Sequence, residues 1–180
     1  GAVLALYSNP SFDPNRFTGG IPADYWKALN TDPRRPLFNK VIQGTYPPGS
    51  TWKLATSVMG LESGLIGMNS HMPIACTGGL QYGRRYFKCW EKRGHGSVDL
   101  AGAITHSCDV YFYTLGGGFK DFKGVGNERL AKWGNLIGYG APTGIDIPGE
   151  ADGPVPTSAW KKDTWREDWL TGDTYNMSSG

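Results

Sequence analysis

Tyr46-Pro47-Pro48-Gly49-Ser50-Thr51-Trp52-Lys53 is the stretch from which the fold of this 180-residue chain is read. Two prolines and a glycine make a rigid turn, and Ser50 follows it in the position of a helix N-cap. Leu54, Val58, Leu61 and Leu65 then recur at helical period, predicting a helix whose apolar stripe runs as far as Gly64-Leu65. Ser50 and Lys53, three apart at the start of that helix, lie on one face within one turn. A serine hydroxyl is a poor nucleophile until a neighbouring base takes its proton, and a lysine can serve when it is neutral. The free N–H groups and dipole of a helix start also favour negative charge beside Ser50. Taken alone, Ser-x-x-Lys is a common pattern, and a capping serine followed by a solvated lysine produces it equally well.

Outward from this stretch, 39% hydrophobic and 13% aromatic residues describe a globular chain and exclude disorder. A net charge of +2, from 18 basic and 16 acidic residues well mixed along the chain, gives no field for nucleic acid or anionic lipid. No apolar run reaches the roughly 20 residues of a membrane span, and the first residues lack the features of a signal peptide. Gly1-Ala-Val-Leu-Ala-Leu-Tyr7 reads as a strand without a start signal, and Ser179-Gly180 follows no terminating element, so the chain reads as an excised piece. The 27 glycines and 12 prolines are dispersed, which predicts one domain over residues 1–180 without repeats. Short helices are expected over Ala23–Asn30 and Pro36–Ile42, and further helices over Val98–Ser107 and Glu128–Ile137, the last stopped by Gly138, while Val110–Leu115 reads as helical or extended. Ser70–Gly96 and Tyr139–Gly153 read as irregular, and Pro156-Thr157-Ser158 can cap a short helix carrying Trp160. Trp160, Trp165 and Trp169 among Lys161, Lys162 and Arg166 fit an amphipathic cover better than base stacking, because no basic excess supports the latter.

Two motifs together carry a resemblance. Tyr46-Pro-Pro-Gly-Ser-Thr-Trp-Lys53 resembles the active-site motif of class B penicillin-binding proteins, and Ser107-Cys108-Asp109 resembles their second motif, Ser-x-Asn or Ser-x-Asp, at the family's separation. Without the first match, Ser107 would equally be a cap between two helices. The likeness extends over nearly the whole chain, from Gly1–Pro10 through Asn39–Gly49 to Gly172-Asp173-Thr174. It is most similar to the elongation-specific branch, through the wording around Ser50 and Gly94-His95-Gly96.

The resemblance implies an α+β, β-lactamase/transpeptidase-like fold, present here as the helical lobe plus one strand, with the C-terminal sheet strands absent from this chain. It implies a D,D-transpeptidase in which Ser50 is the nucleophile, Lys53 its base and Ser107 a member of the proton relay. Asp109, where many relatives have asparagine, would hydrogen-bond the substrate backbone or Lys53. No cofactor is needed for this chemistry. The implied partners are the peptidoglycan stem pentapeptide, β-lactam antibiotics and a lipid-linked glycan polymerase, with no nucleic acid. The implied location is the bacterial inner membrane, with the catalytic domain in the periplasm. One departure matters: the family's third motif, Lys-Thr-Gly or Lys-Ser-Gly, occurs nowhere in the 180 residues. That strand supplies substrate-carboxylate contacts and an oxyanion-hole N–H, so this stretch alone is expected to be impaired. The alternatives are a β-lactamase or β-lactam sensor of the same superfamily, and a zinc-stabilised binding module in which Ser50 is only a cap.

The three cysteines and one histidine follow Cys76-x12-Cys89-x5-His95-x12-Cys108. Thiolates and imidazole are the ligands zinc prefers, and a structural Cys3His site would tie the apolar-poor Ser70–Gly96 loop to the helix leading into Ser107. Some members of the resembled branch are similar in carrying zinc at this place, with carboxylates among the ligands. A disulfide with one free thiol, or three buried thiols with His95 hydrogen-bonded in a loop, are the competing readings. His106, beside Ser107, is expected to face solvent.

Overall fold

The computed structural model describes residues 2–180, which form two compact units. The first runs up to Tyr46 and includes Pro142–Asp152. It holds a 3-10 turn, Pro14–Phe17, whose start is capped by the Asp13 carboxylate accepting from Asn15 N–H, and helix α1 (Ala23–Thr31). The strand expected over Gly1–Tyr7 is not formed by residues 2–7, where Val3 and Leu4 are exposed; Gly1 lies outside the described residues. A strand needs a partner for its backbone groups, and none pairs with this segment among the described residues. Pro36–Ile42 forms turns rather than the expected helix. The Asn39 N–H donates to Gln43 Oε1 and the Lys40 N–H to Ser8 Oγ, so side-chain acceptors take the place of helical carbonyls.

The second unit, Pro47–Ala141 with Gly153–Gly180, carries the site. Gly49–Thr51 forms a 3-10 turn that runs into α2 (Trp52–Glu62). Ser50 is therefore inside the turn and not the N-cap. The buried face of α2 comprises Trp52, Lys53, Ala55, Thr56, Ser57, Met59 and Gly60, whereas Leu54 and Val58 of the expected stripe are exposed. The helix turns its small and polar residues inward because other helices pack closely there. Ser70–Gly96, expected to be irregular, contains the one sheet found among the described residues, a hairpin of β1 (Gly79–Tyr82) and β2 (Arg85–Lys88).

Helices α3 (Leu100–Thr105), α4 (Asp109–Gly117), α5 (Asn127–Leu136) and α6 (Ser158–Trp165) match the expected elements, with α6 capped by Thr157 as read. The tail adds a helix that the sequence reading lacked, α7 (Thr171–Ser179). It starts where the Asp173 carboxylate accepts from Leu170 N–H, and it lies on α4. The approach is close because α4 ends in glycines: a Cβ on Gly116 would sit 2.1 Å from Ser178 Cβ, and one on Gly117 would sit 2.4 Å from the Tyr175 ring. Ser178 Oγ donates to Phe112 O and Tyr175 Oη to Gly118 O, which satisfies the polar groups this contact buries. Met59, Leu80, Leu100, Val110, Phe112, Leu115, Leu130 and Tyr175 fill the core between these elements. Trp52 belongs to it, edge-on to Tyr139. The result is a helical lobe with a single small hairpin. No helix among the described residues is long and apolar enough to cross a membrane.

Candidate active site and metal-ligating cluster

Lys53 projects inward from the first turn of α2 and is only 2% exposed. A long cationic side chain can be buried only if its ammonium finds partners. Its Nζ lies 3.2 Å from Ser50 Oγ, 2.9 Å from Ser107 Oγ, 3.0 Å from Ser107 O and 2.5 Å from Asp109 Oδ1. Ser107 Oγ in turn donates to Ser50 Oγ at 2.9 Å. Three hydroxyl and amine groups thus form a closed triangle, and Ser50, at its apex, is exposed. An ammonium has three N–H groups and here has four oxygen neighbours. At least one contact is therefore shared, or is donated by a hydroxyl to a neutral amine, which is the arrangement a proton relay requires.

Ser107 reaches this position through an uncommon backbone. α3 ends in a reversal in which Ser107 N–H bonds Ile104 O and Cys108 N–H bonds Ala103 O. Such a reversal places its outer residue in the left-handed region, usually glycine. Here that residue is Ser107 at φ 51. Asp109 then opens α4, and its carboxylate is held from two sides: Trp90 N–H donates to Oδ2 at 3.0 Å, and Ser179 Oγ donates to Oδ1 at 2.9 Å. Trp90 and Ser179 are the site residues that the sequence reading missed. Ser179 ends a helix with little amphipathic pattern, and Trp90 sits in a segment read as irregular.

Cys76, Cys89, His95 and Cys108 converge, with one ligand atom from each lying within 4.8 Å of all the others. His95 Nδ1 lies 3.7 Å from Cys76 Sγ and 3.6 Å from Cys89 Sγ. The sulfur–nitrogen edge of a tetrahedral zinc site is about 3.6 Å, from Zn–S near 2.3 Å and Zn–N near 2.05 Å. The cysteines are free and buried. Burial pushes the Cys108 thiol up to about 12 and the Cys89 thiol also upward, so this apolar surrounding favours a thiolate only when a cation accompanies it. The donor set and its spacing fit zinc. Loop geometry brings the four together: Cys76 and Gly96 pair as an isolated bridge, which closes the loop that carries Cys89 and His95. His106 is exposed, as expected, and stacks on His95.

Comparison with known proteins identifies the chain. The model of the penicillin-binding protein transpeptidase domain matches residues 1–180. The chain belongs to the penicillin-binding protein transpeptidase family. Within this family it is 37% identical over 180 residues to the peptidoglycan D,D-transpeptidase MrdA of Escherichia coli K12, an alignment that covers all of this chain and 28% of that protein. A crystal structure of Pseudomonas aeruginosa PBP2 in complex with WCK 5153 superposes with a TM-score of 0.86 at 37% identity, over 99% of this chain and 39% of that one. PBP2 of Helicobacter pylori, in its complex with MreC, gives 0.87 at 36% identity, over 97% of this chain and 31% of that one. The chain thus spans just over a quarter of the curated transpeptidase it matches. These likenesses favour neither the β-lactamase or sensor alternative nor the binding-module alternative.

Proposed function

We propose that residues 1–180 form part of one transpeptidase domain, and that the complete protein cross-links peptidoglycan stem peptides during cell-wall elongation through an acyl-enzyme on Ser50. The observation that carries the reading is the Ser50–Lys53–Ser107 triangle, with contacts of 2.9 to 3.2 Å between its side chains. In the proposed reaction Lys53 first releases its extra proton to solvent; Ser50 Oγ then attacks the carbonyl carbon of the penultimate D-alanine, and its proton passes to the neutral Lys53 Nζ. The bond to the terminal D-alanine nitrogen breaks, and that nitrogen takes a proton from Lys53 through Ser107 Oγ. An amine from a neighbouring stem then attacks the ester carbon and forms the cross-link, and its proton returns to Ser50 through the same relay. In this reading Asp109 holds Lys53 between the two serines and accepts from the substrate backbone. β-Lactams acylate the same oxygen, because their amide presents an equivalent carbonyl. The 180 residues alone, without a Lys-Thr-Gly strand, are impaired.

Zinc on Cys76, Cys89, His95 and Cys108 is structural in this proposal. With four protein ligands it has no open position, so it cross-links the loop and supplies no step of the chemistry. The similarity to MrdA and to PBP2 supports a periplasmic catalytic domain on an inner-membrane protein, acting beside a lipid-linked glycan polymerase. The H. pylori neighbour, solved with MreC, supports work within an assembly.

Intact mass after exposure to penicillin tests the reading, on the full-length protein with its C-terminal strands. A stable single adduct is expected on the parent and none on Ser50→Ala. An unmodified parent, or an adduct that survives Ser50→Ala, would remove Ser50 from the role.

A further inference from the structure

Ser107 needs more than its sequence to hold its conformation. Left-handed backbone is disfavoured for a residue with a Cβ, and the carbonyls around such a residue must find donors. Both are gripped by one side chain. The Trp90 indole Nε1–H lies 2.9 Å from His106 O and 3.2 Å from Ser107 O, the carbonyls on either side of the Ser107 Cα. The backbone N–H of the same residue donates to Asp109 Oδ2 at 3.0 Å. One residue therefore contacts both ends of the His106–Asp109 turn, and Ser107 O is shared between Trp90 and Lys53 Nζ. The ring is not there for the core: Trp90 is 62% exposed. A large aromatic left so open, with its only polar atom on two backbone carbonyls, is a clamp on that turn.

We infer that Trp90 is a positioning residue for the relay, fixing the Ser107 backbone so that its hydroxyl stays between Ser50 and Lys53. This rests on the acyl-transfer reading above. Trp90 acts through Ser107 and Asp109 and takes no proton itself. Trp90→Phe keeps an aromatic ring and the backbone N–H while removing the indole donor and the pyrrole part of the ring. It should slow the acylation step while leaving reversible β-lactam binding within about twofold, and the effect should vanish where Ser107 can no longer relay.

The test is stopped-flow acylation of the full-length, zinc-replete protein by a chromogenic β-lactam, resolving the binding constant from the first-order acylation rate. The variants are Trp90→Phe, Ser107→Ala and the double variant, each checked for metal content and melting temperature. The expected result is a roughly tenfold lower acylation rate for Trp90→Phe, as for a lost, well-aligned hydrogen bond worth about 1.4 kcal/mol, and no further loss in the Ser107→Ala background. An acylation rate within twofold of the parent overturns the inference. So does an equal loss in both backgrounds, which would make Trp90 a substrate contact or a structural support. If Trp90→Phe fails to fold or loses its metal, replacement of the indole by benzothiophene removes the N–H at constant shape and faces the same criteria. A parent that takes no adduct sinks the acyl-transfer reading and this inference together, whereas an acylated parent with an indifferent Trp90 variant sinks this inference alone.

Discussion

Ser179 Oγ donates to Asp109 Oδ1 at 2.9 Å, joining the last turn of α7 to the first residue of α4 across 70 positions of sequence. Asp109 thereby meets Lys53, Trp90 and Ser179 at once. Removing its carboxylate would strand an ammonium that is almost wholly buried. Asp109→Ala should cost about 3–5 kcal/mol of stability, the typical result of breaking one side of a buried pair. Asp109→Asn keeps an acceptor and should cost less. Ser179→Ala, which removes one hydrogen bond to a charged group, should cost about 1.5–3 kcal/mol. Urea midpoints of the three variants check the order; Asp109→Ala as stable as Ser179→Ala would contradict it.

Zinc content is the second expectation. Purified, reduced protein should hold close to one equivalent by elemental analysis, and Cys76→Ser should lose it. Chelation should lower the melting temperature by on the order of 10 °C, as for the loss of several kcal/mol from a chain of this size. A protein that melts at the same temperature with and without chelator would leave the cluster as plain buried thiols.

The α4–α7 contact gives a third. A Cβ on Gly117 would meet the Tyr175 ring at 2.4 Å, and Tyr175 is fully buried. Gly117→Ala should therefore destabilise by about 1–3 kcal/mol despite its better helix propensity. Thermal denaturation that shows any gain would mean the helices part more easily than this packing implies.

Alkaline pH gives the fourth. Burial holds the phenols of Tyr111, Tyr113 and Tyr175 up to about 12, above their usual value near 10. Between those limits the folded chain binds more protons than the unfolded one, so stability is intact below about pH 10 and falls as pH rises toward 12. Denaturant midpoints across that range, paired with ultraviolet titration of the phenols, check the sign. A midpoint that rises with pH would reverse it.

The parts legible in the sequence were those that local chemistry dictates. Tyr46–Lys53 announced the pairing of the Ser50 hydroxyl with the Lys53 amine, because a rigid turn into a helix brings the two side chains together. Thr157 announced its own cap. The buried side of α2 was not legible: Leu54 and Val58 are the apolar residues, yet the tight approach of α4 and α7 reserves the interior for Ala55, Thr56 and Gly60. Helix α7 was hidden for a related reason, since Thr174 and Ser178 are buried through hydrogen bonds and close backbone contact rather than by an apolar stripe. The hairpin at Gly79–Lys88 lacked strand alternation because much of it stays exposed. Trp90 could be recognised only once the turn at Ser107 had a shape.

A single peptide link separates Cys108 from Asp109. A displacement of the first residue's sulfur is therefore passed to the carboxylate of the second and, across its ion pair, to the Lys53 amine. The cysteine–histidine cluster and the serine–lysine triangle thus share one mechanical joint.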